Sequence, residues 1–220
     1  MLDINDLMNQ IICGDALEVM RGMPDKSIDL CVTDFPYGID GGRGGTSKER
    51  GKGEYGKLYF EDTREYVRTV CLQVLQECRR IAMGVILTPG SKNLDLYPQA
   101  DSFGCFYQPA AVGLQHWGMM DAQPILYYGR YDLAGIMPMP CSYQLTEKPS
   151  CDYHPCSKPI NAWKKLVNRC PVDGIVLDPM CGVGTTAVAA KQLGRKFIGI
   201  EISEEYCAIA RQRLAQEELF

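Results

Sequence analysis

At 220 residues, with 46% hydrophobic and 23% charged side chains, the chain has the size and composition of one globular domain with a sizeable core. No run approaches the roughly 20 consecutive apolar residues of a membrane span, and the acidic start M-L-D-I-N-D is unlike a signal peptide. The net charge of −4 means that contact with a polyanion must rest on a local cluster of positive charge.

The eleven cysteines are an odd number, and several, such as Cys31 and Cys71, lie within apolar strand or helix patterns. This distribution predicts reduced thiols rather than a disulfide framework. Together with the acidic start and the lack of a membrane span, it leads us to expect a cytoplasmic protein.

The chain begins with short strand and helix patterns. Residues 10–15 predict a strand that ends in a Gly-Asp turn, and residues 16–23 predict a short helix. A second apolar strand, residues 28–34, runs directly into D-F-P-Y-G at 34–38. An Asp-x-Pro sequence after a strand is most often a simple turn, so the rest of the chain must decide its role.

A glycine-rich loop follows at residues 41–57 and carries five basic residues against two acidic ones. Its glycines predict flexibility. The loop is a candidate for binding a polyanion, and the alternative is a solvated loop with no partner. The basic residues are Arg43, Lys48, Arg50, Lys52 and Lys57.

The middle of the chain starts with the clearest helix pattern, at residues 61–80, where apolar residues recur with helical spacing. Asp62, with a Glu three residues later, resembles a capping box. Residues 81–90 predict an apolar strand closed by Pro-Gly, and further strands are expected near 103–113 and 124–129.

The last third alternates helices and strands after an irregular, proline-containing stretch at residues 130–157. The alternation over the whole chain predicts a single α/β domain with a mostly parallel sheet, covered by helices on both faces. The final elements are a helix, a strand, a helix, a strand and a helix at residues 158–169, 174–179, 185–194, 196–201 and 203–214.

The segment D-P-M-C-G-V-G-T-T, residues 178–186, connects a buried strand to a helix. Gly182 and Gly184 allow a ligand to approach the backbone, and Glu201 at the tip of the next strand suits ribose hydroxyls. The spacing matches neither a G-x-G-x-x-G fingerprint nor a phosphate-binding loop with G-K-[ST]. A nucleoside without a polyphosphate tail is expected, and S-adenosylmethionine fits; the alternative is a glycine turn with a chance acid.

Four motifs in order resemble the amino-group DNA methyltransferases of the permuted beta class. Those enzymes carry D-P-P-Y, then H-P-x-x-K-P, then D-P-F-x-G-x-G-T-T followed by G-x-E. This chain has D-F-P-Y at 34–37, H-P-C-S-K-P at 154–159, the glycine segment at 178–186 and G-I-E at 199–201. The resemblance implies a Rossmann-like, class I S-adenosylmethionine-dependent methyltransferase fold with circularly permuted motif order over residues 1–220.

The resemblance also implies a cofactor site. Asp15, in the Gly-Asp pair that precedes D-P-P-Y in the family, would accept a hydrogen bond from the cofactor's adenine amino group. Glu201 would hold the ribose hydroxyls, and Lys158 with its helix would close the methionine side. The other implied cofactor residues are Asp34, Asp178, Cys181, Gly182, Gly184, Thr185 and Thr186.

The implied catalytic residues are Asp34, Phe35, Pro36 and Tyr37. Asp34 and the Phe35 carbonyl would accept the two hydrogens of the target amino group, while Pro36 fixes the turn and Tyr37 stacks on a flipped-out DNA base. Adenine N6 is the expected target. The alternatives are cytosine N4, an RNA base or protein amide, and an inactive fold that only binds DNA or a partner.

Two positions depart from the family pattern. Phe35 replaces the first Pro of D-P-P-Y and could fill an apolar niche, while Met180 replaces a Phe. Residues 130–153 leave little room for target recognition, so specificity is expected to be short, relaxed or shared with a second subunit in a homodimer.

The remaining site predictions concern DNA and metal. Arg43, Lys48 and Arg50 in the basic loop are expected to contact DNA phosphates. His154 is either a turn residue or, with Cys141, Cys151 and Cys156, a metal ligand. Those spacings do not match a regular zinc module, so no metal is expected.

Overall fold

The structure, a computed structural model, describes residues 2–38, 62–108, 113–115, 118–129, 139–145 and 158–216. The predictions for the basic loop, with Arg43, Lys48 and Arg50, lie outside the described residues. The same holds for His154 and for most of the 130–153 segment.

The described residues form ten strands and seven α-helices. The strands are β1 (Gln10–Cys13), β2 (Ile28–Asp34), β3 (Ala82–Thr88), β4 (Ser102–Tyr107), β5 (Gly113–Gln115), β6 (Gly118–Met120), β7 (Ala122–Tyr128), β8 (Tyr143–Gln144), β9 (Ile175–Asp178) and β10 (Lys196–Glu201). The helices are α1 (Ile4–Leu7), α2 (Ala16–Arg21), α3 (Arg64–Tyr66), α4 (Leu72–Ile81), α5 (Ile160–Val167), α6 (Thr185–Gln192) and α7 (Glu204–Gln216). Within these residues no helix is both long and apolar enough to span a membrane.

Eight strands build one sheet in the order β1-β10-β9-β2-β3-β7-β4-β8, and β5 with β6 forms a separate two-stranded sheet. The first five strands of the large sheet are parallel to one another. Strand β7 runs antiparallel to both β3 and β4, while the short β8 is parallel to β4. The prediction of an α/β fold with a mostly parallel sheet is therefore confirmed.

Helices cover both faces of the sheet, as predicted. One core lies under α5, α6 and α7, and the other lies under α2 and α4. Successive strand residues point to opposite faces, so Val32 belongs to the first core and Cys31 to the second. In the same way Val176 packs in the first core and Leu177 in the second. Burial on both faces explains the nearly continuous apolar sequence of the central strands.

The start of the long helix differs from its prediction. Thr63, not Asp62, caps the helix, because the Thr63 side chain accepts a hydrogen bond from the Tyr66 backbone N–H at 3.0 Å. The Asp62 carboxylate instead accepts the Gly38 backbone N–H at 2.6 Å. The capping-box prediction was wrong because this tertiary partner takes the acid. A π-helical turn, Val67–Cys71, also interrupts the predicted helix between α3 and α4.

Two other local predictions can be compared with the structure. The strand expected near 103–113 ends at Tyr107, and Gly113–Gln115 belongs to the small second sheet. Ser203 accepts a hydrogen bond from the Tyr206 backbone N–H at 3.4 Å, which places it as the expected cap of α7.

Candidate active site

Three acidic residues end neighbouring parallel strands on one edge of the sheet. Asp34 ends β2, Asp178 ends β9 and Glu201 ends β10. Because the order of these strands is β10-β9-β2, their carboxyl ends meet at the edge where α/β folds bind ligands. The fold thus brings Asp34 to the same edge as two acids that follow it by more than a hundred residues along the chain.

The loop after β9 has the backbone conformation that its glycines allow. Gly184, at φ 78°, precedes α6, and a Cβ atom there would lie 2.8 Å from the Ala210 Cβ. Gly182 has φ 52°, and a Cβ atom there would meet no protein atom within 4 Å. The Gly182 position therefore borders open space, as a loop that receives a ligand requires.

Glu201 is tied to this loop by its carboxylate. Its Oε2 accepts the Gly182 backbone N–H at 2.9 Å, and its Oε1 accepts the Ser203 backbone N–H at 2.9 Å. Each carboxylate oxygen can accept a further hydrogen bond, so the side chain is oriented and still able to receive hydroxyl donors.

Asp178 lies at the floor of the same region, and only 5% of its surface is exposed. The Thr186 hydroxyl donates to its Oδ2 at 2.5 Å, and the Met180 backbone N–H donates to its Oδ1 at 3.2 Å. The Trp163 indole N–H donates to the Thr186 hydroxyl at 3.0 Å. Burial raises the pKa of Asp178 to about 7, although these hydrogen bonds oppose the shift.

The D-F-P-Y segment forms a hydrogen-bonded cluster around Asp34. The Tyr37 hydroxyl donates to Asp34 Oδ1 at 2.9 Å, and the Thr88 hydroxyl donates to the same oxygen. The Lys158 ammonium lies 2.9 Å from Asp34 Oδ2 and donates to the Tyr37 hydroxyl at 2.6 Å. The Gln123 amide also donates to the Tyr37 hydroxyl. Both oxygens of Asp34 are thus held in fixed directions.

The charges in this cluster follow from its contacts. Burial opposes the charge of Lys158, but Asp34 and Tyr37 beside it raise the pKa of the ammonium above its usual value. Burial, and then the charge of Asp34, raise the pKa of Tyr37, so its hydroxyl stays protonated. The cluster is therefore a carboxylate–ammonium pair joined by a neutral phenol, which also lies under the ammonium at 4.7 Å from the ring centroid.

A second set of contacts positions the turn that carries Tyr37. Asn93, which is 2% exposed, donates from its amide to the Tyr37 carbonyl at 2.6 Å and to the Gly38 carbonyl at 3.3 Å. Arg64 donates to the Asn93 side-chain oxygen at 2.7 Å and pairs with Asp95 at 2.5 Å. The backbone of the D-F-P-Y motif is therefore held by residues outside the motif.

The aromatic departure in the motif has a structural place. Phe35 is 1% exposed and belongs to the core under α2 and α4. The expectation that it fills an apolar niche agrees with this burial. Its side chain anchors the turn, while its backbone stays at the end of β2, next to Asp34.

Comparison with known proteins shows what the chain is similar to. A family model described as DNA methylase, of the N6 and N4 type, matches residues 126–212. The type II methyltransferase M2.DpnII of Streptococcus pneumoniae is 28% identical over 240 residues, which cover 94% of this chain and 90% of the relative. The DNA adenine methyltransferase YhdJ of Escherichia coli (strain K12) is 25% identical, over 93% of this chain and 82% of the relative.

The chain is similar over nearly its whole length to amino-group DNA methyltransferases. The predicted resemblance to this family is confirmed. The similar proteins include both N6-adenine and N4-cytosine enzymes, so they do not distinguish the two target bases.

Solved structures support the same fold. The M1.HpyAVI–SAM complex is 18% identical, with a TM-score of 0.63 over 93% of this chain and 98% of the other. The PvuII DNA methyltransferase, which is cytosine-N4-specific, is 17% identical with a TM-score of 0.64, over 92% and 85% of the two chains. The class I S-adenosylmethionine-dependent methyltransferase fold is thus confirmed for this chain.

The remaining predicted cofactor residues have defined places in the methyltransferase. Asp15 follows β1 and caps α2, accepting the Glu18 backbone N–H at 3.0 Å. The Cys181 side chain packs in the core under α5 to α7, so only its backbone can face a ligand. Thr185 is buried, and its hydroxyl accepts from Arg213 at 3.3 Å.

Motif analysis missed the residues that hold the D-F-P-Y motif from other parts of the chain. Thr88, Gln123, Asn93 and Arg64 belong to none of the four motifs. The sequence held one signal for Thr88, because a polar residue there ends an apolar strand. The structure then pairs Thr88 in register with Asp34. The other three have no comparable signal in the sequence.

Proposed function

We propose that this methyltransferase transfers a methyl group from S-adenosylmethionine to the N6 amino group of adenine in DNA. The observation that carries the proposal is the position of Asp34 and the Phe35 backbone at the carboxyl end of β2, on the same sheet edge as Asp178 and Glu201. A target amino group and a nucleoside cofactor could meet at that edge.

The residues present fit the cofactor. The space beside Gly182 is open, Glu201 can accept from ribose hydroxyls, and the buried Asp178 carboxyl suits the charged amino-acid end. When bound, S-adenosylmethionine supplies the electrophilic methyl group. The chain's own contribution is to bind it, to orient the target and to exclude water.

The D-F-P-Y motif offers acceptors that can make the amino group of a base more nucleophilic. The lone pair of a base amino group is delocalised into the ring, so the nitrogen is a poor nucleophile. Two acceptors, the Asp34 carboxylate and the Phe35 carbonyl, can hold both amino hydrogens and favour the pyramidal nitrogen that frees the lone pair. The proton that the nitrogen gives up after methylation can pass to Asp34.

The contacts of Asp34 also define what the target must replace. The Tyr37 and Thr88 hydroxyls donate to Asp34 Oδ1 and Lys158 lies against Oδ2, and an incoming amino group can take the place of the Tyr37 hydroxyl. The Lys158 ammonium then remains beside the carboxylate. Tyr37, freed from Asp34, can stack on the extruded base, a contact worth about 1–3 kcal/mol.

Adenine is favoured over cytosine by the Asp at the first motif position and by the relative YhdJ, a DNA adenine methyltransferase. The second candidate is transfer to cytosine N4, which the similarity in fold to the PvuII enzyme supports. Both reactions need the same acceptors for an exocyclic amino group, so the product must discriminate them.

Nucleoside mass spectrometry of DNA treated with the enzyme and cofactor tests the proposal. We expect N6-methyladenine from the parent and none from Asp34→Ala, while Asp34→Ala keeps its affinity for the cofactor. Mainly N4-methylcytosine would replace the adenine proposal with the second candidate. Robust turnover by Asp34→Ala would overturn the mechanism.

A further inference from the structure

A cluster of metal-ligating side chains lies outside the residues used for methyl transfer. Cys13, Glu204 and Cys207 each offer one ligand atom, and these atoms lie within 4.8 Å of one another. Cys13 and Glu204 are exposed, and Cys207 is fully buried. The proposed methyl transfer gives none of the three a role.

Rigid elements bring the three side chains together. Cys13 ends the edge strand β1 and lies in register with Glu201 of β10. Glu204 and Cys207 are three residues apart on α7, so they project from one helix face. The Cys207 thiol contacts the Glu201 carbonyl at 3.4 Å, and the Cys13 thiol contacts the Ile202 carbonyl at 3.8 Å. The distances among the three ligand atoms are therefore set by a strand and a helix, not by a flexible loop.

We propose that Cys13, Glu204 and Cys207 form a binding site for Zn²⁺. The bound ion would link the end of β1 to the first turns of α7. Two thiolates and one carboxylate are the donor types that zinc prefers. Because Cys13 and Glu204 face solvent, water can complete the tetrahedral set.

Protons and charge balance at this site. Zn²⁺ replaces one proton on each thiol, and two protons leave to solvent as the two Zn–S bonds form. Two thiolates and a carboxylate around Zn²⁺ leave one net negative charge. Arg211 provides the compensating charge, since its guanidinium pairs with Glu204 at 3.1 Å and is held by the Ile11 carbonyl at 2.9 Å.

Co²⁺ is the spectroscopic probe for the site. Titration of reduced, metal-free protein should give thiolate-to-cobalt charge-transfer absorption that saturates at one equivalent and is displaced by Zn²⁺. Cys13→Ser should lose this absorption, and Glu204→Gln should weaken cobalt binding. Zinc should raise the melting temperature of the parent and leave that of Cys13→Ser unchanged.

Two controls separate this site from other thiols. Cys105→Ser, on β4, should bind cobalt as the parent does. The double variant Cys151→Ser/Cys156→Ser removes the cysteines next to His154 and should also bind as the parent does. Because Cys207 is buried and its variant could misfold, the exposed Cys13 carries the test. A parent without stoichiometric binding, or absorption that survives Cys13→Ser, would overturn the proposal.

Discussion

Asp178 shows how a single buried group links the site to pH. Burial raises its pKa from 3.8 to about 7, so the folded protein holds this proton more tightly than the unfolded chain does. Between pH 3.8 and about 7, Asp178 binds more protons in the folded state than in the unfolded chain. Its contribution to the free energy of unfolding therefore falls as the pH rises through this range. The buried Asp178 therefore lowers the stability of the fold at neutral pH, and it lies at the edge where we propose that the cofactor binds.

We predict that Asp178→Asn removes this pH dependence. An asparagine can accept from the Met180 N–H through its oxygen and donate to the Thr186 hydroxyl, so the packing is retained. The free energy of unfolding, measured in urea at pH 5 and pH 8, should fall less with pH in the variant than in the parent. An equal fall in both proteins would contradict the assignment.

Asn93 supports the turn at Tyr37 and Gly38, which we propose to be catalytic, without belonging to its motif. Removing its amide in Asn93→Ala leaves the Tyr37 and Gly38 carbonyls without this donor, so the turn loses its support. We expect a loss of about 1–3 kcal/mol in stability and a clear drop in turnover. Calorimetric titration should show cofactor affinity close to that of the parent.

Asp95→Ala is the matched control for this prediction. It removes the exposed partner of Arg64 and leaves the amide of Asn93 in place. A surface pair contributes at most about 1 kcal/mol, so turnover should stay near the parent level. Equal losses in both variants would mean that Asn93 has no special effect on the turn.

At the scale of elements, the loop between β9 and α6 has two different uses for glycine. Gly184 lets α6 pack closely against α7, where Ala210 lies, whereas Gly182 leaves space for a ligand. The two positions share a positive φ, and they differ in what surrounds them.

We predict that Gly184→Ala destabilises the protein by about 2–5 kcal/mol, as a left-handed backbone and a clash with Ala210 add together. Gly194 has a similar φ of 67°, and a Cβ atom there would meet nothing within 4 Å. Gly194→Ala therefore measures only the cost of placing alanine in a left-handed backbone conformation, about 1–2 kcal/mol. Thermal and urea unfolding of both variants give the comparison. Equal destabilisation would show that the α6–α7 contact contributes nothing.

At the scale of the whole molecule, the charge distribution bears on DNA binding. The chain carries a net charge of −4, while residues 41–57 concentrate five basic side chains among glycines. An acidic protein that binds DNA needs such a local cluster, because phosphate contacts supply most of the non-specific affinity.

We predict that replacing Arg43, Lys48 and Arg50 together by alanine weakens DNA binding and flattens its dependence on salt. The log–log slope should fall by roughly one unit for each lost phosphate contact. Fluorescence anisotropy across a salt series measures this slope. As a control, the same number of lysines replaced on α5 and α6 (Lys164, Lys165 and Lys191) should change the slope less. A slope equal to that of the parent would leave the loop without this role.

The sequence by itself determined the resemblance to amino-group DNA methyltransferases, the order of the motifs, the alternation of strands and helices and the three acids at strand ends. These features depend on short segments, in which a strand, a turn and a helix start are specified by neighbouring residues. The placement of Asp34, Asp178 and Glu201 on one edge then follows from parallel strands alone.

Only the tertiary structure decided what surrounds Asp34. Thr88, Gln123 and Lys158 reach its cluster from 54 to 124 residues away along the chain, through the register of β2 with β3 and the packing of α5. A tertiary contact also explains why Asp62 does not cap the helix as expected, because its carboxylate accepts the Gly38 backbone N–H instead. Such contacts depend on how separate elements pack. A local sequence pattern therefore cannot show which distant residue a side chain will contact.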